Sequence, residues 1–149
     1  MVHAERTISE VIPAPPNAVR DFYVDLDNIK EFHPLVVSVQ VLSRCETDQG
    51  YQQTYRVRDR IPLGPLSMPI TYWAQVQVPT DGDVITEARQ VPQVRLNGVV
   101  SFQPTAAGTR LTERLTITAP RLLAAMTQRE AVDAHVTMLA GIRSHFESP

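Results

Sequence analysis

The chain has 149 residues, 43% of them apolar, and a formal charge of -2 at neutral pH. That length suffices to bury well over half of the unfolded surface around a core with a cavity, and it argues for one domain over 1–149. The balance of charge excludes the strongly basic footprint of a nucleic-acid binder or of a protein held on an anionic membrane, and the sole cysteine, Cys45, excludes an intrachain disulfide.

The opening MVHAERTISE lacks the charged-then-apolar pattern of a signal peptide, and no apolar run approaches the roughly 18 residues of a membrane span. A cytoplasmic protein without stable membrane insertion is expected. Glu5 to Ile12 sets Ile8, Val11 and Ile12 among polar residues and stops at PAPP, which reads as a strand ended by proline. Pro15 and Pro16 suit the first turn of a helix, where a missing N–H costs nothing, and Val19, Phe22 and Tyr23 follow at helical spacing. A second short helix is expected over roughly Leu26 to Phe32, ahead of Pro34.

From Val36 the pattern changes to period two. Val37, Val39 and Val41 alternate with polar residues, and a turn at 47–50 leads into Tyr51, Gln53, Tyr55 and Val57. The next series is Met68, Ile70, Tyr72, Ala74, Val76 and Val78; a DGD hairpin signal at 81–83 precedes Val84 to Val91. Val94, Leu96, Gly98, Val100 and Phe102 follow, and AAG at 106–108 turns the chain into Leu111, Glu113, Leu115 and Ile117, for seven strands in all. The final segment, Arg121 to Phe146, is the one stretch long enough for a multi-turn helix. At about 100° per residue, Ala124, Ala131, Ala134, His135, Met138, Leu139 and Ile142 share one of its faces. Strand, two short helices, six strands and a long helix predict an α+β fold in which a curved antiparallel meander wraps that helix.

The stretch TISEVIPAPPNAVRDFYVDLDNIKEFHP, the GTRLTERLTI strand and the final helix together resemble the START-like superfamily. This is the helix-grip fold of birch-pollen-allergen-like proteins and of polyketide cyclase/dehydrase and lipid-transport families. The resemblance covers essentially the whole chain, through element order and two loose motifs. It implies a deep apolar cavity between sheet and helix that takes lipids, polyketides or other hydrophobic molecules, with some members acting as aromatases or cyclases and others only carrying their ligand.

Parity nominates the residues for such a cavity. Glu113 shares the face of Leu111 and Leu115, so it points inward, where a carboxylate needs a partner or has its pKa raised; the bland alternative is a rim residue paired with arginine. His135 sits inside the apolar stripe of the long helix, where imidazole can both donate and accept, although a core histidine satisfied by a tyrosine or a backbone carbonyl is the more ordinary explanation. Glu113 and His135 are the candidate acid/base pair. Tyr55 and Tyr72 are either core fillers or the polar contacts of a ligand. The expected lining is completed by Val57, Met68, Ala74, Leu96, Phe102, Ala131 and Met138, with a gating loop at 61–69 stiffened by proline. Gln53 and Asp59 have the same parity as Tyr55 but sit nearer the strand's ends, which leaves both the cavity and water open to them, while Cys45 reads as a small buried filler.

Arg56, Arg58 and Arg60 form an outer basic row, and outward Trp73 beside it fits either a sheet edge or a partner surface. No HExxH, CxxC, phosphate loop or GxSxG occurs, so no metal or cofactor is expected. The leading reading is a carrier or sensor for a hydrophobic small molecule, monomeric or weakly dimeric. The alternatives are a polyketide cyclase or aromatase, and a non-catalytic interaction component of the toxin–antitoxin type.

Overall fold

Proline sets the first boundary of the fold. β1 (Val2–Ile12) ends at Pro13, and α1 (Pro16–Tyr23) opens with proline in its first turn. α2 (Leu26–Ile29) follows at once, with Asp25 Oδ1 accepting the Asp27 N–H at 3.0 Å as its cap. It is shorter than expected: Phe32 and His33 both donate to the Ile29 carbonyl, so the chain tightens into turns ahead of Pro34, which disfavours helical backbone at the residue before it. The structure, a computed structural model, describes residues 1–148 apart from the side chain of Leu63; Pro149 lies outside the described residues.

The alternating segments form β2 (Val36–Thr47), β3 (Gly50–Leu63), β4 (Leu66–Pro79), β5 (Val84–Gln90), β6 (Val94–Thr105) and β7 (Gly108–Ala119). They make one seven-stranded antiparallel sheet in the order β1-β7-β6-β5-β4-β3-β2, the expected meander closed by β1 on β7. The helix-grip architecture is completed by α3 (Ala124–Glu147), whose first residues are preceded by a turn at 121–123. Leu123, at its N-cap, supplies no side-chain hydrogen bond, and its first turn carries no acidic residue.

The 61–69 segment is a correction. It is not a loop: Ile61 pairs with Met68 and Leu63 with Leu66, leaving a turn at Gly64 and Pro65. Gly64, at φ 60°, supplies the left-handed conformation that a two-residue hairpin needs at its first central position, so the ladder runs to the tip. Cys45 is exposed rather than buried, because β2 is an edge strand whose second half is covered on neither face.

Ile12, Val19, Val84, Val100, Leu111, Leu139 and Ile142 are among the best-buried aliphatic side chains. They lie between the concave sheet face, α1 and the C-terminal half of α3, each contributing about 1.5–3 kcal/mol of burial. The N-terminal half of α3 is different. Leu123, Met126, Thr127 and Ala131 are only partly buried and turn toward open space between helix and sheet.

Candidate functional site

The alternation of β7 decides the centre of the site. Leu111, Glu113, Leu115 and Ile117 all face inward, and Glu113 is fully buried with them. A carboxylate in that position must be satisfied by donors. Its Oε1 lies 2.8 Å from Nδ1 of His135 on α3, and its Oε2 accepts the hydroxyl of Tyr23 from α1. Three elements are thus joined through one side chain. With Nδ1 committed to Glu113, Nε2 is the His135 nitrogen left for a ligand.

Beside His135 stands His33, their ring centroids 5.3 Å apart at 81°. Burial, together with the nearby His135, pushes His33 down to about 3, so it is neutral near pH 7. His135 is also lowered by burial, but the charge and hydrogen bond of Glu113, with the charge of Asp59, outweigh this and raise it above its ordinary 6.5. Burial and then Glu113 lift the Tyr23 phenol well above its usual range, so it remains a donor. Asp59 is raised by burial to about 6, against the opposing pull of the neighbouring Tyr72 hydroxyl and of His135.

These groups border two chambers between sheet and helix. The larger, of about 450 Å³, is lined by residues of β3 to β7, α3 and the 33–35 connection; its exposed members Met68, Pro69, Val91 and Pro92 mark the open end. The smaller, of about 100 Å³, lies deeper, toward α1 and α2. His33, Tyr72, Ala88, Leu96 and His135 belong to both linings and form the neck between them.

Of the residues nominated by parity, Met68, Tyr72, Leu96, Ala131 and His135 line the larger chamber. Val57, Ala74 and Met138 line the smaller. Glu113 lines neither and stands behind His135. Tyr55 is packed away from both, its hydroxyl donating to the Val24 carbonyl at 3.3 Å, and Phe102 stacks edge-on against Tyr23 at 5.7 Å. Two site groups escape the sequence reading. Asp59 is 7% exposed rather than facing water, because β3 continues beyond it to Leu63. His33 falls in a turn with no periodic neighbours to give it a direction; His-Pro after a short helix is the sole signal.

On the outer face, Arg56 donates to Gln40 at 2.5 Å and Arg60 to Ser67 at 3.2 Å, with Trp73 half exposed opposite Arg56 in the ladder. Among the described residues, no group of three His, Cys, Asp or Glu side chains is placed to hold a metal ion, and no helix is long and apolar enough to cross a membrane.

Residues 1–147 match the family of polyketide cyclase/dehydrase and lipid transport proteins. No curated protein matches the chain. Among solved structures, a protein of Thermus thermophilus is similar at 23% identity and TM-score 0.70, over 98% of this chain and 96% of that one. The Zhui aromatase/cyclase of Streptomyces sp. R1128 is similar at 16% identity and TM-score 0.71, over 99% of this chain and 96% of that one. A STAR-related lipid transfer protein fragment of Xanthomonas axonopodis shows 20% identity and TM-score 0.64, over 97% of this chain and 86% of that one. At these identities the likeness is one of fold.

Proposed function

Because the chain belongs to the polyketide cyclase/dehydrase and lipid transport family, we propose that it binds a mostly apolar small molecule between sheet and α3, as a carrier or sensor. The observation that carries this reading is the larger chamber: about 450 Å³, with apolar walls and a few polar groups converging at one neck. Ligand sites typically span roughly 300–1,000 Å³ with that same composition. Affinity then comes mainly from burial, at about 25 cal/mol per Å² of apolar area, while the neck fixes orientation. Met68 and Met126 give the wall adaptable surface that suits a range of shapes.

The test is native mass spectrometry of gently purified protein, combined with displacement of an environment-sensitive aromatic dye. A retained small molecule, or a dye signal that hydrophobic competitors abolish, is expected. Protein that arrives empty and gives no dye response sinks the reading.

A second reading is favoured by the 2.8 Å contact between Glu113 and His135. An imidazole oriented by a buried carboxylate is a general base: Nε2 takes an acidic proton from between two ketones, Glu113 stabilises the resulting imidazolium, and the proton returns to a departing hydroxyl. Cyclisation and dehydration of a poly-β-ketone need little more than that and a cavity that holds the chain folded. On such a substrate His135→Ala is expected to lose about 10²–10⁴ in turnover, with a smaller loss for Glu113→Gln, which positions the ring. Unchanged turnover in both variants removes the catalytic reading and leaves the carrier.

A further inference from the structure

Four polar side chains meet around the neck, and Asp59 is set apart from the rest. His135 is held by Glu113, and His33 Nδ1 accepts the Leu35 N–H at 3.4 Å. Tyr72 lies against the Asp59 carboxylate. Asp59 itself is 7% exposed and lines the larger chamber, yet its Oδ1 has no hydrogen-bond partner among the described residues. A buried, unpaired carboxylate oxygen costs several kcal/mol, and a neutral side chain of similar shape would avoid that cost. The charge around it is one-sided. Asp59 and Glu130 both line the larger chamber, no lysine or arginine does among the described residues, His33 is held neutral, and His135 is already paired with Glu113 through Nδ1.

We propose that Asp59 sets the ligand class of the cavity: its Oδ1 accepts a hydrogen bond from a hydroxyl or amine on an otherwise apolar ligand, and carboxylate-headed molecules such as fatty acids are rejected. The proposal rests on the cavity-binding reading above. A donor brought to Oδ1 makes a charge-assisted bond inside a low-dielectric site, where such bonds are strongest. A ligand carboxylate meets two like charges and no lysine or arginine, so discrimination comes from repulsion as well as attraction.

Three probes with one apolar body separate the possibilities: 2-naphthylmethanol, 2-naphthylmethylamine and 2-naphthoate, titrated calorimetrically into the whole protein near neutral pH. The alcohol and the amine are each expected to bind at least about tenfold more tightly than the naphthoate. Asp59→Asn is expected to bring the naphthoate to within about threefold of the alcohol and to weaken the amine about tenfold or more. Tighter binding of the amine identifies a cationic ligand, tighter binding of the alcohol a neutral one, and either order supports the assignment. Asp59→Ser repeats the comparison with a smaller neutral residue. The assignment is overturned if the naphthoate equals or exceeds the other two, or if the ranking is the same in wild type and both variants. Failure of all three probes to bind overturns the cavity-binding reading, and this one with it; equal binding of all three overturns the role of Asp59 alone.

Discussion

His33 and His135 stand 5.3 Å apart, and their surroundings drive their charges in opposite directions. His33 is held at about 3 by burial and by His135, whereas Glu113 and Asp59 carry His135 above 6.5 in spite of burial. Linkage then gives opposite signs. The raised His135 contributes stability that is present in full below its unfolded value and is lost as pH rises through the folded one. The lowered His33 contributes stability above about 6.5 that is lost as pH falls toward about 3. In an NMR titration, the His135 ring signal is expected to move with a midpoint above 6.5 and the His33 signal to stay neutral down to about pH 4. Two rings titrating together near their ordinary value would contradict both environments.

Asp59 behaves as the mirror image of an ordinary paired carboxylate. Its carboxyl is raised from 3.8 to about 6, so ionising it in the folded protein costs stability; the cost is absent below about pH 3.8 and complete above about 6. A shift of that size corresponds to about 3 kcal/mol. Asp59→Asn is therefore expected to stabilise the protein by about that amount near pH 7, with little effect near pH 4, as read from denaturant unfolding at the two pH values. No gain near pH 7 would show that the carboxylate is better solvated than its burial indicates. A residue that costs stability while facing a chamber is the pattern expected of a functional site.

At the scale of elements, α3 divides into a packed half and a cavity-lining half, and Ala131 belongs to the latter. Leucine at 131 projects three more carbons into the larger chamber, at about 0.8 kcal/mol per buried carbon. Ala131→Leu is expected to leave thermal stability unchanged or raised while lowering affinity for 2-naphthylmethanol about tenfold or more, measured by calorimetry. Full affinity in this variant would place the probe elsewhere.

Elements of this kind were legible in the sequence because period two persists through β3 to β7 and period 3.6 through α3. The inward direction of Glu113 and His135 followed from the same two periods. Asp59 had the correct parity, but its depth depended on how far β3 ran beyond it, and the glycine turn at 64 extended the ladder through prolines that suggested a loop. His33 had no parity at all; its place is fixed by a turn and by packing from α3. Tyr55 and Phe102 show the converse limit, since parity sent both inward without separating a core from a cavity wall.

At the scale of the whole molecule, cavity and core are neighbouring regions of one concave surface, and they should respond differently to a ligand. A molecule bound to the folded state alone stabilises it by about 2.7 kcal/mol at a hundredfold excess over its dissociation constant. Amide hydrogen exchange is expected to slow on addition of 2-naphthylmethanol in the first turns of α3 and in β5 and β6, which line the larger chamber. The second half of β2, exposed on both faces, is expected to keep its exchange rate. Uniform slowing across the chain would indicate global stabilisation without local closure.

The start of α3, which has no side-chain cap, bears on time rather than affinity. Leu123 supplies no side-chain acceptor as a cap, no acidic residue stands in the first turn, and that turn with Leu123, Met126 and Thr127 forms one wall of the larger chamber. A helix end without a cap unwinds more readily than one that has it. The β3–β4 ribbon opposite, closed at Gly64, is bonded to its tip. Release of a bound molecule is therefore expected to follow the opening of that one helical turn, leaving the grip of the sheet on the rest of the helix undisturbed.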